Sequence, residues 1–368
     1  MFAILFHTKY REVLKIICLC LFWYMVSSAM GVVGKLVLSD FPYPMTVTMV
    51  QLLSISVYLI PVMKSFVKTS WIPYHIPLKY WLQIILPLSF GKFVSSVSSH
   101  ISIWKVPVSY AHTVKATMPF FTVILSRIIL KEKQSKKIYL SLVPIISGVV
   151  IASLTELSFD MLGLISALVS TIGFALQNIF SKKCLKEVGL HEFSLLFTLA
   201  IIAGCMFLPV WVFYDLSRII EDTSLSHSMH LPRLIALLVI DGFCNFAQNV
   251  IAFSIIALVT PLSYAVANCT KRIAVISVSL LVLGNPVTAV NVVGMMTAIF
   301  GVLLYNKAKY DQHREKKHLP VLPSYEIKSS HNINSIISDS ISNGYIGHYN
   351  KNNMEIIAST DNSKLLVV

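Results

Sequence analysis

Two adjacent cations, Lys271 and Arg272, stand near the middle of the otherwise almost uncharged stretch 257–283. Each Lys or Arg at the centre of a membrane helix costs about 2.5–3.5 kcal/mol on insertion scales, so such a pair needs a compensating charge. Arg offers a planar fork for two oxygens and Lys a movable point charge, a combination suited to phosphate. In a helix, Tyr264, Asn268, Lys271 and Arg272 fall at i, i+4, i+7 and i+8, on one face. Other apolar stretches carry similar stripes. His112 and Lys115 stand at i and i+3; Lys92, Ser96 and Ser99 at i, i+4 and i+7. Asp241, Asn245 and Gln248 repeat that spacing with Asn249 beside them, Ser166, Ser170 and Gln177 share a face, and Lys35 closes the first apolar run. A single polar stripe in a membrane helix is usually helix–helix glue. Several stripes bearing lysines and an arginine against one carboxylate, Asp241, point to an anionic ligand in a watery chamber. There is no HExxH, GxSxG, acid pair or Cys/His cluster in these stretches, so an intramembrane enzyme lacks its chemistry and no cofactor or metal is expected.

The elements that must position these groups follow from composition. Only 13% of the 368 residues are charged and 55% are hydrophobic, with a mean hydropathy of +0.73, whereas a soluble domain carries about 25% charged residues. The net charge of +13 does not indicate nucleic acid, because the cations cluster in short loops between apolar runs. The six cysteines show no metal spacing and read as small buried hydrophobes. A bilayer takes roughly 20 mostly apolar residues per helix. Ten stretches qualify: 14–36, 45–63, 79–103, 107–130, 138–154, 159–180, 193–214, 232–254, 257–283 and 287–306. The expected fold is therefore an all-α polytopic membrane protein. The first run is too long for a signal-peptide core and reads as a retained helix.

With the N-terminus in the cytosol, that side collects the lysines and arginines of nearly every loop. The opposite side holds only Lys105, Arg218 and Arg233. Both termini are then cytosolic, as an even helix number requires. Pro107-Val108-Ser109-Tyr110-Ala111 recurs as Pro261-Leu262-Ser263-Tyr264-Ala265, each copy opening a long apolar stretch. Equivalent placement in two halves of five helices predicts inverted repeats, since five is odd, with a polar site at their interface. The expected boundaries are a transmembrane domain over 10–310 and a Ser/Asn-rich cytosolic tail, 311–368, without stable structure.

The stretches WYMVSSAMGVVGKLVLSDFPYPMTVTMVQ, SIWKVPVSYAHTVKATMPFFTVILSRIILKEKQS, TELSFDMLGLISALVSTIGFALQNIFSKK and GFCNFAQNVIAFSIIALVTPLSYAVANCTKR resemble the triose-phosphate/nucleotide-sugar translocator family, and within it the E branch of solute carrier family 35. The family belongs to the drug/metabolite transporter superfamily, whose members have ten helices in two inverted halves. The resemblance implies that Lys115 of the HTVK motif and Lys271 with Arg272 of NCTKR contact phosphate. It implies a solute site completed by Ser96, Ser99, Gln248 and Asn249, with His112, Tyr264 and Asn268 on the same faces. Ser96 and Ser99 stand where plastid relatives have histidine and threonine, and Gln248 where they have tyrosine, so the solute's non-phosphate end is read differently. The implied function is antiport of a phosphorylated organic anion, such as a sugar phosphate, for phosphate across a Golgi or related endomembrane. A nucleotide-sugar or nucleoside-monophosphate exchanger stays open as the alternative. The implied partners are a small anionic solute and the lipid bilayer, without nucleic acid.

Overall fold

The computed structural model describes residues 2–66, 77–129, 131, 133–188, 191–221, 231–259, 261–318, 346–348 and 357–359. Helix α1 covers Phe2–Asp40 and α2 Pro44–Phe66. A helical turn, Leu78–Tyr80, and a wider π-type turn, Trp81–Ile85, lead into α3, Leu86–Lys105. Next come α4, Val108–Val114, a 3-10 turn at Lys115–Thr117, and α5, Met118–Ile129. Then follow α6, Lys136–Leu154; α7, Met161–Val188; and α8, Glu192–Trp211, extended by a π-type turn at Val212–Leu216. Helices α9, Leu231–Leu258, α10, Pro261–Leu283, and α11, Ala289–His318, complete the bundle.

Among the described residues nine helical stretches are long and apolar enough to cross a membrane. They coincide with nine of the ten expected runs. The remaining run, 107–130, is divided by its 3-10 turn, and the cause is local. Pro119 has no N–H to donate to the Lys115 carbonyl. The Met118 N–H takes that carbonyl instead, one residue earlier, which tightens the turn to 3-10 geometry. The run begins equally sharply: Val106 is extended ahead of Pro107, and its N–H closes α3 on the Ser102 carbonyl at 2.9 Å. Both copies of the repeated pentapeptide start helices, at α4 and α10.

The helices pack through small residues, as membrane helices do where no water drives association. A side chain at Gly148 of α6 would meet the Gly294 carbonyl at 2.6 Å and the Ala298 backbone of α11, and one at Gly301 would meet Ile145 and Pro144. Gly173 of α7 lies against Ser95 of α3, and Gly242 of α9 against Ser54 of α2. In this arrangement α1 lies along α9 and α10, α3 along α7 and α8, and α2 along α8 and α9. Large apolar side chains such as Leu21, Val57, Leu140, Leu281 and Phe300 stay exposed on the outer faces, where a bilayer would cover them.

The chain divides into a compact unit, Met1–Asn306, and a second, Lys307–Val368. In the second, strands β1, Ile346–His348, and β2, Ile357–Ser359, pair antiparallel. Its other residues beyond His318 lie outside the described residues.

Candidate solute site

Helices α1, α2, α3, α4, α7, α9 and α10 enclose a cavity of about 370 Å³. Three cations line it from two separate segments: Lys115 at the start of the 3-10 turn, and Lys271 with Arg272 in the middle of α10. Lys115 Nζ donates to Ser99 Oγ at 2.6 Å, and Arg272 Nη1 to the His112 carbonyl at 3.4 Å. Lys271 Nζ stands 4.5 Å from the centroid of the Trp23 ring on α1, a cation–π contact. Among the described residues the ion pairs are Lys183–Glu187 and Arg233–Asp40, both far along the chain from this cluster. None of the three cations therefore has a carboxylate within salt-bridge distance. Buried charges without counter-ions are costly. A phosphate placed among these three would meet a guanidinium fork and two ammonium groups.

The opposite wall is polar without being cationic. Gln51 Nε2 donates to Asp241 Oδ2 at 2.7 Å, Ser27 Oγ to Gln248 Oε1 at 2.6 Å, and Thr48 Oγ1 and His100 Nδ1 lie 2.8 Å apart. Asn249 Nδ2 reaches back to the Asn245 carbonyl at 2.7 Å. These bonds fix the side chains on α1, α2, α3 and α9 in place, so the cavity presents oriented groups rather than loose ones.

Of the residues expected at a site, Lys115, Lys271, Arg272, Ser96, Ser99, Gln248, Asn249 and His112 line this one cavity. Tyr264 and Asn268 do not. They share the α10 face with Lys271, but Trp23 reaches across from α1 one to two turns earlier. Its ring stacks on Tyr264 at 5.6 Å and ends the chamber there. Gln177 reaches the cavity from α7, whereas Ser166 and Ser170 are buried between helices. Lys35 turns away: its Nζ donates to the carbonyls of Ile103, Trp104 and Val106 at 2.8, 3.1 and 3.2 Å, capping the C-terminal end of α3. The lysine that closes the first apolar run is thus a helix cap and not part of the cavity lining. Thr48, Gln51 and His100 belong to the wall and were not picked out from sequence. The i, i+3 spacing of Thr48 and Gln51 within the apolar α2 was the available signal.

The profile of the Triose-phosphate Transporter family matches residues 14–306. Phosphoenolpyruvate/phosphate translocator 3, chloroplastic, of Oryza sativa subsp. japonica is 35% identical over 78% of this chain and 72% of its own. Phosphoenolpyruvate/phosphate translocator 1, chloroplastic, of Arabidopsis thaliana is 32% identical over 82% and 73%. Triose phosphate/phosphate translocator, chloroplastic, of Zea mays is 30% identical over 80% and 72%. The apolar helices, the cationic chamber and these similarities agree: the chain is a multi-pass membrane transporter and belongs to the Triose-phosphate Transporter family.

Proposed function

We propose that this protein exchanges a phosphorylated organic anion, of the sugar-phosphate class, for inorganic phosphate across an endomembrane. The observation that carries the reading is the convergence of Lys115, Lys271 and Arg272 on one cavity with no carboxylate partner among the described residues. Phosphate supplies the missing counter-charge. An empty chamber keeps three mutually repelling cations. A loaded one is closer to neutral and can reorient, which couples movement in one direction to movement in the other. The cavity volume of about 370 Å³ lies at the small end of ligand pockets, which favours a compact sugar phosphate over a nucleotide sugar.

Ten crossings in two inverted halves suit this activity, with α4 and α5 together making the fourth. The packing supports the pairing of halves: α1 lies on α9 as α7 lies on α3, α1 on α10 as α7 on α4 and α5, and α2 on α9 as α8 on α3. Loop charge supports cytosolic ends for the bundle. The endomembrane placement rests on the resemblance to the E branch of solute carrier family 35.

The test is uptake into proteoliposomes preloaded with phosphate, nucleoside monophosphates or nothing. Lys271→Gln is expected to abolish exchange while the protein still inserts. Normal transport by that variant would refute the site, and rapid phosphate efflux without any solute on the far side would refute exchange.

A further inference from the structure

Lys92 lies on the same cavity wall as Ser96 and Ser99, yet it shares no partner with the phosphate clamp formed by Lys115, Lys271 and Arg272. It stands near the middle of the helical stretch from Leu78 to Lys105, too far from either end for its ammonium to reach an interface. Its side chain is only 8% exposed. Among the described residues it makes no hydrogen bond, and no carboxylate comes within 4 Å of it. Asp241, the carboxylate on the cavity wall, is engaged by Gln51 instead. A buried ammonium at the edge of a chamber, unpaired and unable to snorkel, is a place for an anion.

Its position relative to the clamp decides which anion. Ser99 accepts from Lys115, which fixes the level of the clamp on α3. Lys92 is seven residues earlier on the same face, about 10 Å along the helix axis. Helical side chains lean toward the N-terminus of their helix, so a lysine at position 92 serves a level set back from that of Ser99 and Lys115 rather than the same one. The charges point the same way. Lys92, Lys115, Lys271 and Arg272 against Asp241 leave three positive charges around the cavity, one more than a phosphate dianion neutralises.

We propose that Lys92 forms a second anion subsite, which takes an anionic group at the far end of the organic solute while the clamp holds its phosphate. This rests on the phosphate-exchanger reading above and narrows it. The preferred organic solute then carries two anionic ends, as a phosphorylated carboxylic acid or a sugar bisphosphate does, and a sugar monophosphate with an uncharged tail binds more weakly.

The experiment uses the full chain in liposomes loaded with inorganic phosphate. Labelled phosphate uptake is competed by three unlabelled compounds: a sugar monophosphate with an uncharged tail, a phosphorylated three-carbon acid and a sugar bisphosphate. The two-ended anions are expected to compete about tenfold to hundredfold better, the worth of one hydrogen bond to a charged group. Lys92→Gln should erase that advantage and Lys92→Arg should retain most of it. The acid and bisphosphate arms report which second group the subsite prefers. Equal competition by all three compounds in the unmodified protein overturns the proposal without any variant having to fold. An intact preference in Lys92→Gln, or one lost equally in Lys92→Arg, overturns it too. Absence of phosphate uptake by the unmodified protein would instead strike down the exchanger reading on which the subsite depends.

Discussion

Replacing Lys35 by Met removes the only side chain described as capping the C-terminal end of α3, and the consequence can be worked from the three bonds it makes. A lysine ammonium has three N–H groups, and three carbonyls, those of Ile103, Trp104 and Val106, stand 2.8–3.2 Å from it. A hydrogen bond to a charged group contributes about 1.5–3 kcal/mol. Lys35 is half-buried and one ammonium is shared among three acceptors, so a loss equal to one such bond is a conservative figure for the whole cap. Each 1.4 kcal/mol is a factor of ten in an equilibrium. The ends of α1 and α3 should therefore part about tenfold to hundredfold more often in the variant. The assay places a cysteine at Ile103, which is buried and lines the cavity at that end, in a chain whose six cysteines have been replaced. A membrane-impermeant thiol reagent is then added to each face of reconstituted vesicles. Labelling should accelerate by the same factor, and only from the face that carries the C-terminal end of α3. Rates within twofold of each other with and without Lys35, or acceleration from the other face, would refute the reasoning.

The ring under Lys271 gives a second expectation. Trp23→Ala removes a contact of about 0.5–2 kcal/mol, so half-maximal phosphate uptake should need about twofold to thirtyfold more phosphate, and Trp23→Phe should recover much of the loss. At the α6–α11 seam, a methyl group at Gly148 would run into the backbone of Gly294 and Ala298, which cannot swing aside as a side chain can. Gly148→Ala should destabilise by about 1–3 kcal/mol, read as a lower midpoint in a detergent thermal melt; an unshifted midpoint would mean that the two helices do not approach there. Gly204, with nothing within 4 Å of an added methyl group, serves as the contrasting site, and Gly204→Ala should leave the midpoint where it is or raise it slightly.

The helix positions were legible because hydrocarbon imposes long uninterrupted apolar runs, and nothing shorter crosses it. The cations were legible for the complementary reason: a charge inside such a run is conspicuous. Helical phase then grouped Ser96 and Ser99, and Gln248 and Asn249, on the faces that the structure brings together. What phase could not give was depth. Tyr264 and Asn268 share the stripe of Lys271, but where the chamber stops depends on Trp23, which is distant in sequence and belongs to α1. Lys35 posed the same difficulty, since the carbonyls it caps lie on α3 and come near only after packing. The division of the run 107–130 was in principle readable. Pro119 was in view, and the missing donor four residues after Lys115 follows from proline chemistry alone.

That division has a bearing on motion. A 3-10 turn advances about 120° per residue against about 100° in an α-helix. Three residues of it therefore rotate everything after Thr117 by about 60° relative to an uninterrupted rod. The segment before the turn leans chiefly on α10, which carries Lys271 and Arg272, and to a lesser extent on α7, while the segment after it leans on α7. Lys115 sits at the swivel between them. If α10 shifts against α7 as the chamber changes its opening, α4 can follow one neighbour and α5 stay with the other. The adjustment falls on a backbone that proline has already freed from one rung of its ladder, and the lysine of the clamp travels with the half that moves.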